Sequence, residues 1–132
     1  MDTFTLHLHS ALRSETLEGV ASFVGEDASG SFGLEARHER FMTVLVFGLA
    51  RYRPRGGPWQ YLALPGGVLR FADNRLTIAA RHYLRGTDYT QISAELTGQM
   101  LREEQALAGL KRNLERLETA LLRQLLELNR GS

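Results

Sequence analysis

Cysteine is absent from all 132 residues, which excludes a disulfide scaffold and thiolate zinc sites and suits a reducing compartment. An excess of one charge is missing too. Sixteen Lys+Arg stand against 15 Asp+Glu, a formal net charge of +1, so no overall field draws the chain to nucleic acid or to an anionic membrane. Partners are expected to be recognised by shape. The longest apolar run, residues 41–50, is interrupted by Thr43 and Gly48 and is too short to cross a bilayer. Direct membrane insertion is therefore not expected. The opening Met1-Asp2-Thr3 lacks the basic start and long apolar segment of a secretion signal, so the expected location is intracellular.

Hydrophobic residues make up 43% and charged residues 23%, the balance of a folded globular chain rather than a disordered one. The length permits one domain or a small domain with an appendage. Alternation over residues 4–8 puts Phe4, Leu6 and Leu8 on one face and Thr3, Thr5, His7 and His9 on the other, which predicts a half-buried strand. A second strand is expected over 20–24, ending in a turn at Gly25-Glu26-Asp27. Gly30 and Gly33 flank Phe32, and a tight corner is expected there. Residues 41–49 are apolar on both alternating faces and predict a central strand packed between two layers. Pro54-Arg55-Gly56-Gly57-Pro58 predicts a hairpin tip. Further strands are expected over 59–64, 68–71 and 76–80, separated by Pro65-Gly66-Gly67 and Ala72-Asp73-Asn74. Short strands at such spacing suggest a sandwich or flattened barrel.

Past Arg85-Gly86 the periodicity changes to about 3.6. Asp88 and Gln91 have the spacing of a capping box that opens a helix. Ile92, Leu96 and Met100, then Leu107, Leu110, Leu114, Leu117 and Leu121, form an apolar stripe that Leu122, Leu125, Leu126 and Leu128 widen. The stripe lapses at Arg102-Glu103-Glu104-Gln105. A helical hairpin bending over 102–109 is the preferred form, with one long helix as the other. The expected class is α+β, with a β-sandwich domain over 1–86 and a helical domain over 87–132.

His7 and His9 share a strand face, but neither they nor His38 and His82 gather a third ligand in sequence, so no metal is expected. Gly56-Gly57 and Gly66-Gly67 do not precede a helix, which argues against a phosphate-cradling loop. No cofactor is expected. With no nucleophile elbow and no paired carboxylates, a small enzyme ranks last among the function classes. Lys111, Arg112, Arg116 and Arg123 alternate with Glu115, Glu118 and Glu127. That is the pattern of a solvated helix face, or of a face docked on an acidic partner.

Gly30, Phe32, Gly33, Leu34, His38, Thr43 and Leu45, then Gly66-Gly67-Val68-Leu69 and Arg85-Gly86-x-Asp88, fall in the order and spacing of one family. The chain resembles the epsilon subunit of the F-type ATP synthase along essentially its whole length. Phe32 beside Gly33, the charged run 37–40 and the leucine-rich end 121–128 are most similar to the N-type, sodium-linked branch. The resemblance implies a sandwich of about ten strands with two C-terminal helices, placed in the central stalk and lacking catalytic residues of its own. Its implied partners are subunit gamma, the c-ring and, through the helices, the alpha and beta catalytic subunits; nucleic acid is not among them. It implies a cytoplasmic location, peripheral to the inner membrane.

Matching positions imply that Ser29, Gly30, Ser31, Phe32, Gly33, Leu34 and Glu35, with His38, Glu39, Arg40 and Met42, meet the ring and gamma. Ser10 falls where the first strand faces gamma. Lys111, Arg112, Arg116 and Arg123 become candidates for the catalytic subunits, where the tail restrains ATP hydrolysis. Ala36 and Arg40 replace prolines of the family loop. Thr90 and Ser93 stand where ATP-binding relatives carry an aspartate and an arginine, so ATP binding is not expected. The coupling ion, sodium or proton, is held by the ring. The competing class is a free-standing sandwich that dimerises through a leucine coiled coil.

Overall fold

Nine strands and one helix make up the described residues, 2–130 of the computed structural model. Alternation produces β1 (Phe4–His9), whose Phe4, Leu6 and Leu8 are buried. The next strand, β2 (Ser14–Asp27), extends well beyond the expected 20–24. Gly19 at φ 69 and a register shift between Val20 and Ser22 bend it, as bulges and positive-φ glycines do. Its first half pairs with β1, and its second half with β3 (Gly30–Glu35) and β5 (Gly48–Pro54). Because β2 serves both layers, the sheet folds over on itself.

One layer joins the start of β2 to β1, β8 (Arg75–Ala79), β7 (Gly67–Ala72) and β4 (Phe41–Leu45). The other joins β3, the end of β2, β5, β6 (Gln60–Leu64) and β9 (Leu84–Gly86). A single pair, Asp27↔Leu45, closes the layers on one side. Between them lie Phe4, Leu6, Leu8, Leu69, Phe71, Leu76 and Ile78 from the first layer, against Phe23, Leu34, Tyr52, Leu62 and Leu64 from the second. The expected sandwich is thus present.

Four local expectations change. The turn at 25–27 and the corner at 30–33 are instead strand, since Gly25↔Phe32, Glu26↔Ser31 and Asp27↔Gly30 pair and only Ala28-Ser29 turns. The expected single strand over 41–49 is two, with Val46-Phe47 crossing between layers and Val46 N donating to Glu26 O at 3.2 Å. Nor is β4 buried on both faces: Met42 and Val44 are 65% and 66% exposed. The other turns follow the sequence. Pro54 still ends β5 opposite Val20, so the expected 54–58 tip begins at Arg55, with Gly56 at φ 74, and Asp73 and Asn74 at φ 52 and 59 make the primed two-residue turn that matches strand twist.

A single helix, α1 (Tyr89–Arg130), replaces the preferred hairpin. Residues 102–107 are strong helix formers that keep every backbone donor, and Gly109 alone costs only about 1 kcal/mol. At 1.5 Å per residue the helix is about 63 Å long. The described residues form two compact units that divide between Leu96 and Thr97, so the first turns of α1 belong with the strands. Within the second unit the leucines of the stripe, from Leu107 to Leu128, are exposed. No helix among the described residues is long and apolar enough to cross a membrane.

Candidate functional site

Ser10 closes the β1–β2 turn. Its hydroxyl accepts from Leu12 N and Arg13 N at 3.3 and 3.2 Å, which holds Leu12 outward at 92% exposure. Along the β2–β3 hairpin, Asp27 fixes the tip by accepting from Ser29 N and Ser29 Oγ at 2.9 and 2.5 Å and from Thr43 Oγ1 at 2.7 Å. Those bonds, the Ser29 hydroxyl first, hold its carboxyl below the ordinary carboxylate value. Ser29, Ser31, Gly33 and Glu35 are exposed and Gly30 half-buried. Leu34 is not available as a side chain, being 1% exposed in the core. Phe32 is half-buried, with its ring 5.2 Å from Phe41 and 6.4 Å from Phe23. A Cβ on Gly25 would lie 2.8 Å from the Phe23 ring and 3.0 Å from that of Phe32, so this glycine makes room for both.

The other predicted residues lie past the far end of β3. His38 is held by its N–H to Glu35 O at 3.2 Å and by Nδ1 donating to Glu39 O at 2.8 Å. Its ring packs edge-on against Phe41 and Phe71. Glu39 and Arg40 are exposed beside it. The predicted set is therefore divided: the Ser29 tip and the His38 loop sit at opposite ends of β3, and Met42 lies on β4.

Sequence reasoning missed the surface that Met42 belongs to. In cross-strand register, Val44↔Val68↔Ala79 and Met42↔Arg70↔Thr77 lie side by side on the outside of the first layer, with Val68 49% exposed. A shallow groove of about 620 Å³ lined by Ala11, Val44, Pro65, Gly66, Ala80 and Arg81, among others, joins this strip to the Ser10 turn. The exposed side chains of Met42, Val44 and Val68 make this strip a candidate interaction surface. The apolar run 41–49 carried the signal, but a strand that is apolar on both faces reads as core, whereas here one of those faces, with Met42 and Val44, is exposed.

A polar cluster with no local sequence signal joins β2, β5 and β9. Glu15 accepts from Tyr83 OH at 2.6 Å and from Arg85 Nη2 at 2.7 Å, while Arg85 Nη1 donates to Tyr52 OH at 3.2 Å. Arg13 stacks over the Tyr83 ring at 4.3 Å and donates to Tyr83 O at 3.1 Å. The Tyr83 hydroxyl, then Arg85, draw the Glu15 carboxyl below its ordinary value against the opposing effect of burial. Burial first, and the Glu15 bond second, push the Tyr83 phenol up. This cluster fastens β9, and β9 leads straight into α1. There Asp88 Oδ1 accepts from Thr90 N and Gln91 N at 2.9 and 3.3 Å, the expected cap. The Gln91 side chain reaches forward to Glu95 at 3.5 Å instead of back to Asp88. Tyr61 and Tyr89 rings meet at 5.2 Å, and a Cβ on Gly86 would strike Ile92 at 2.8 Å.

On the second unit, Arg112, Arg116 and Arg123 line one shallow surface with Glu115, Thr119 and Ala120. Lys111 lies about 100° around the helix from Arg112. Thr90 and Ser93 fall in the first turns of α1.

Against known proteins, the family model for the beta-sandwich domain of the ATP synthase delta/epsilon chain matches residues 3–86. The chain is 39% identical over 110 residues to the ATP synthase epsilon chain 2 of Cereibacter sphaeroides, covering 83% of this chain and 75% of that one. It is 29% identical over 116 residues to the epsilon chain 2 of Paraburkholderia xenovorans, covering 87% and 84%. Among solved structures it is similar in fold to a chain of the Euglena gracilis mitochondrial ATP synthase, in a structure of OSCP, F1 and the c-ring. That match has a TM-score of 0.63 at 20% identity and covers 79% of this chain and 64% of the other. A chain of the Tetrahymena thermophila mitochondrial ATP synthase central stalk and c-ring matches with a TM-score of 0.53 at 16% identity, covering 61% and 64%.

Proposed function

The chain belongs to the ATP synthase delta/epsilon family as an epsilon chain, and from that premise we propose that it fastens subunit gamma to the c-ring in the central stalk. It then works as a non-catalytic rotor part, coupling ion translocation to ATP synthesis from the cytoplasmic side of the membrane. The observation that carries this reading is the exposed strip of Met42, Val44 and Val68 beside the Ser10 turn, a preformed apolar face on a closed two-layer body. Gamma covers that strip. The Ser29–Ser31 hairpin tip, with its exposed serines, suits the polar loops of the ring, and His38, Glu39 and Arg40 extend the contact at the opposite end of β3. In this reading residues 1–86 bear the torque and residues 87–132 form the regulatory arm.

Along that arm, Arg112, Arg116 and Arg123, with Lys111, meet acidic surface of the alpha and beta subunits and slow ATP hydrolysis. Thr90 and Ser93 supply neither a carboxylate nor a guanidinium for bound ATP. The run Arg37-His38-Glu39-Arg40 after Phe32-Gly33 supports placement in the sodium-linked N-type branch.

Coexpression with gamma tests the central contact. The pair is expected to copurify, and Val44→Asp is expected to abolish it while the melting temperature of the free chain stays put. Burying the exposed two-thirds of Val44 contributes about 1–2 kcal/mol, and a carboxylate desolvated there costs several more. Weakening beyond a hundredfold follows. Copurification of Val44→Asp at the wild-type level would remove this face from the interface.

A further inference from the structure

Next to the apolar strip, the same outer face changes character. A groove of about 520 Å³ is lined by His7, His9, Arg70, Arg75 and Thr77, with Ala72 and Asp73 at its turn end. The strand register makes it continuous with the strip: Met42↔Arg70↔Thr77↔His7 is one cross-strand row, and Val44↔Val68↔Ala79↔His9 is the next. Each row begins apolar on β4 and ends on an imidazole of β1. Two features set the groove apart from an ordinary solvated face. The imidazoles are fixed, with His7 Nδ1 bonded to Thr16 Oγ1 at 3.1 Å, His9 Nδ1 to Ser14 Oγ at 2.9 Å, and the rings stacked within 10° of parallel at 6.3 Å. The guanidiniums are uncommitted, since the ion pairs among the described residues involve Arg13, Arg37 and Arg85 and neither Arg70 nor Arg75. Two guanidiniums repel a metal cation, and Asp73 is the one carboxylate lining the groove, so the surface selects anions.

We infer that the His7–His9–Arg70–Arg75 groove is the charge-reading half of the docking face and takes an acidic edge, rich in Asp and Glu, of the polypeptide that covers Val44 and Val68. This rests on the proposed docking of gamma to that strip. A partner seated on Met42, Val44 and Val68 overhangs the groove, because the rows run from one to the other without a break. Carboxylates there meet two guanidiniums suited to bidentate bonds, while the apolar rows supply salt-insensitive affinity. Charge pairs of this kind steer encounter and reject wrong partners more than they add raw affinity.

The experiment measures the dissociation constant of the full chain for gamma at low and high salt, with melting curves confirming that each variant folds. Arg70→Glu combined with Arg75→Glu is expected to weaken binding tenfold or more at low salt and to flatten or invert the salt dependence. The Arg70→Gln, Arg75→Gln pair is expected to fall between it and the wild type. Val68→Ser, by contrast, is expected to weaken binding with the salt dependence unchanged. If the double Glu variant keeps the wild-type salt dependence, whether or not its affinity falls, the inference is overturned, while a loss in Val68→Ser leaves the docking reading standing. If the wild-type chain does not bind gamma at all, both are overturned.

Discussion

Replacing Arg85 with Leu removes the link that ties β9, and with it the root of α1, to the start of β2. The side chain holds Glu15 at 2.7 Å and Tyr52 OH at 3.2 Å, and its own exposure and that of Glu15 are 32% and 24%. Hydrogen bonds to charged groups contribute about 1.5–3 kcal/mol each when covered, whereas a fully exposed ion pair contributes about 0–1 kcal/mol. This pair lies between those limits. A net loss of about 2 kcal/mol follows, or roughly a 10 °C fall in melting temperature for a body of this size. Trp59, the single tryptophan, lies under Arg51 and Arg53 at 4.5 and 5.3 Å and reports unfolding of the strands independently of the helical signal. The pH dependence has a definite sign. Because the folded Glu15 carboxyl titrates below its ordinary value, its contribution is complete above that value and disappears as pH falls through the folded one. Glu15→Gln should therefore be clearly less stable than wild type near pH 7, and the deficit should shrink progressively as pH falls below the ordinary carboxylate value. A melting temperature for Arg85→Leu within a degree or two of wild type, or a Glu15→Gln deficit that persists unchanged in acid, would show that the cluster does not hold β9 in place.

Three further outcomes follow from close contacts. Gly67→Ala puts a Cβ 2.7 Å from Ala79 O and 3.3 Å from Ala80 Cβ, and denaturant unfolding should show a loss of about 1–3 kcal/mol, because backbone cannot yield as a side-chain tip can. Asn74 donates to Thr3 O at 2.8 Å and accepts from Arg37 N at 2.8 Å while at φ 59; Asn74→Ala should cost about 2 kcal/mol in the same measurement, and Asn74→Gly less, because glycine restores the dihedral but not the bonds. Asp88→Ala should cost about 1 kcal/mol, seen by amide exchange as fraying confined to the first turn of α1.

Much of this body was legible because its punctuation is chemical. Arg55 through Pro58 and Asp73-Asn74 turn the chain, the alternation of Phe4, Leu6 and Leu8 makes a half-buried strand, and Asp88 opens the helix where apolar periodicity follows. What misled was context. Gly30 and Gly33 suggest a corner, yet only Gly30, at φ 124, uses the conformational freedom that a turn demands, and Gly33 sits in a ladder opposite Val24. Met42 and Val44 look like core because composition does not distinguish a buried apolar face from an exposed one. The lapse at 102–105 looks like a bend, but polarity interrupts burial and not the backbone hydrogen bonds of a helix. Glu15, Tyr83 and Arg85 are 70 residues apart at the extremes, and nothing local announces that they meet. For the candidate site the resemblance alone named Ser10, the Ser29 tip and the His38 loop; the structure puts the last two at opposite ends of β3 and shows an exposed apolar strip and a cationic groove that no local pattern announces.

Because the chain has no cysteine of its own, single cysteines report neighbours without background, and crosslinking in the assembled enzyme decides whether this body bridges shaft and ring. Val44→Cys should form a disulfide with a cysteine placed on gamma, and Ser31→Cys one with a cysteine in the polar loop of the c subunit, each within the same complex. Crosslinks from both positions to a second copy of this chain, or to neither rotor part, would contradict it.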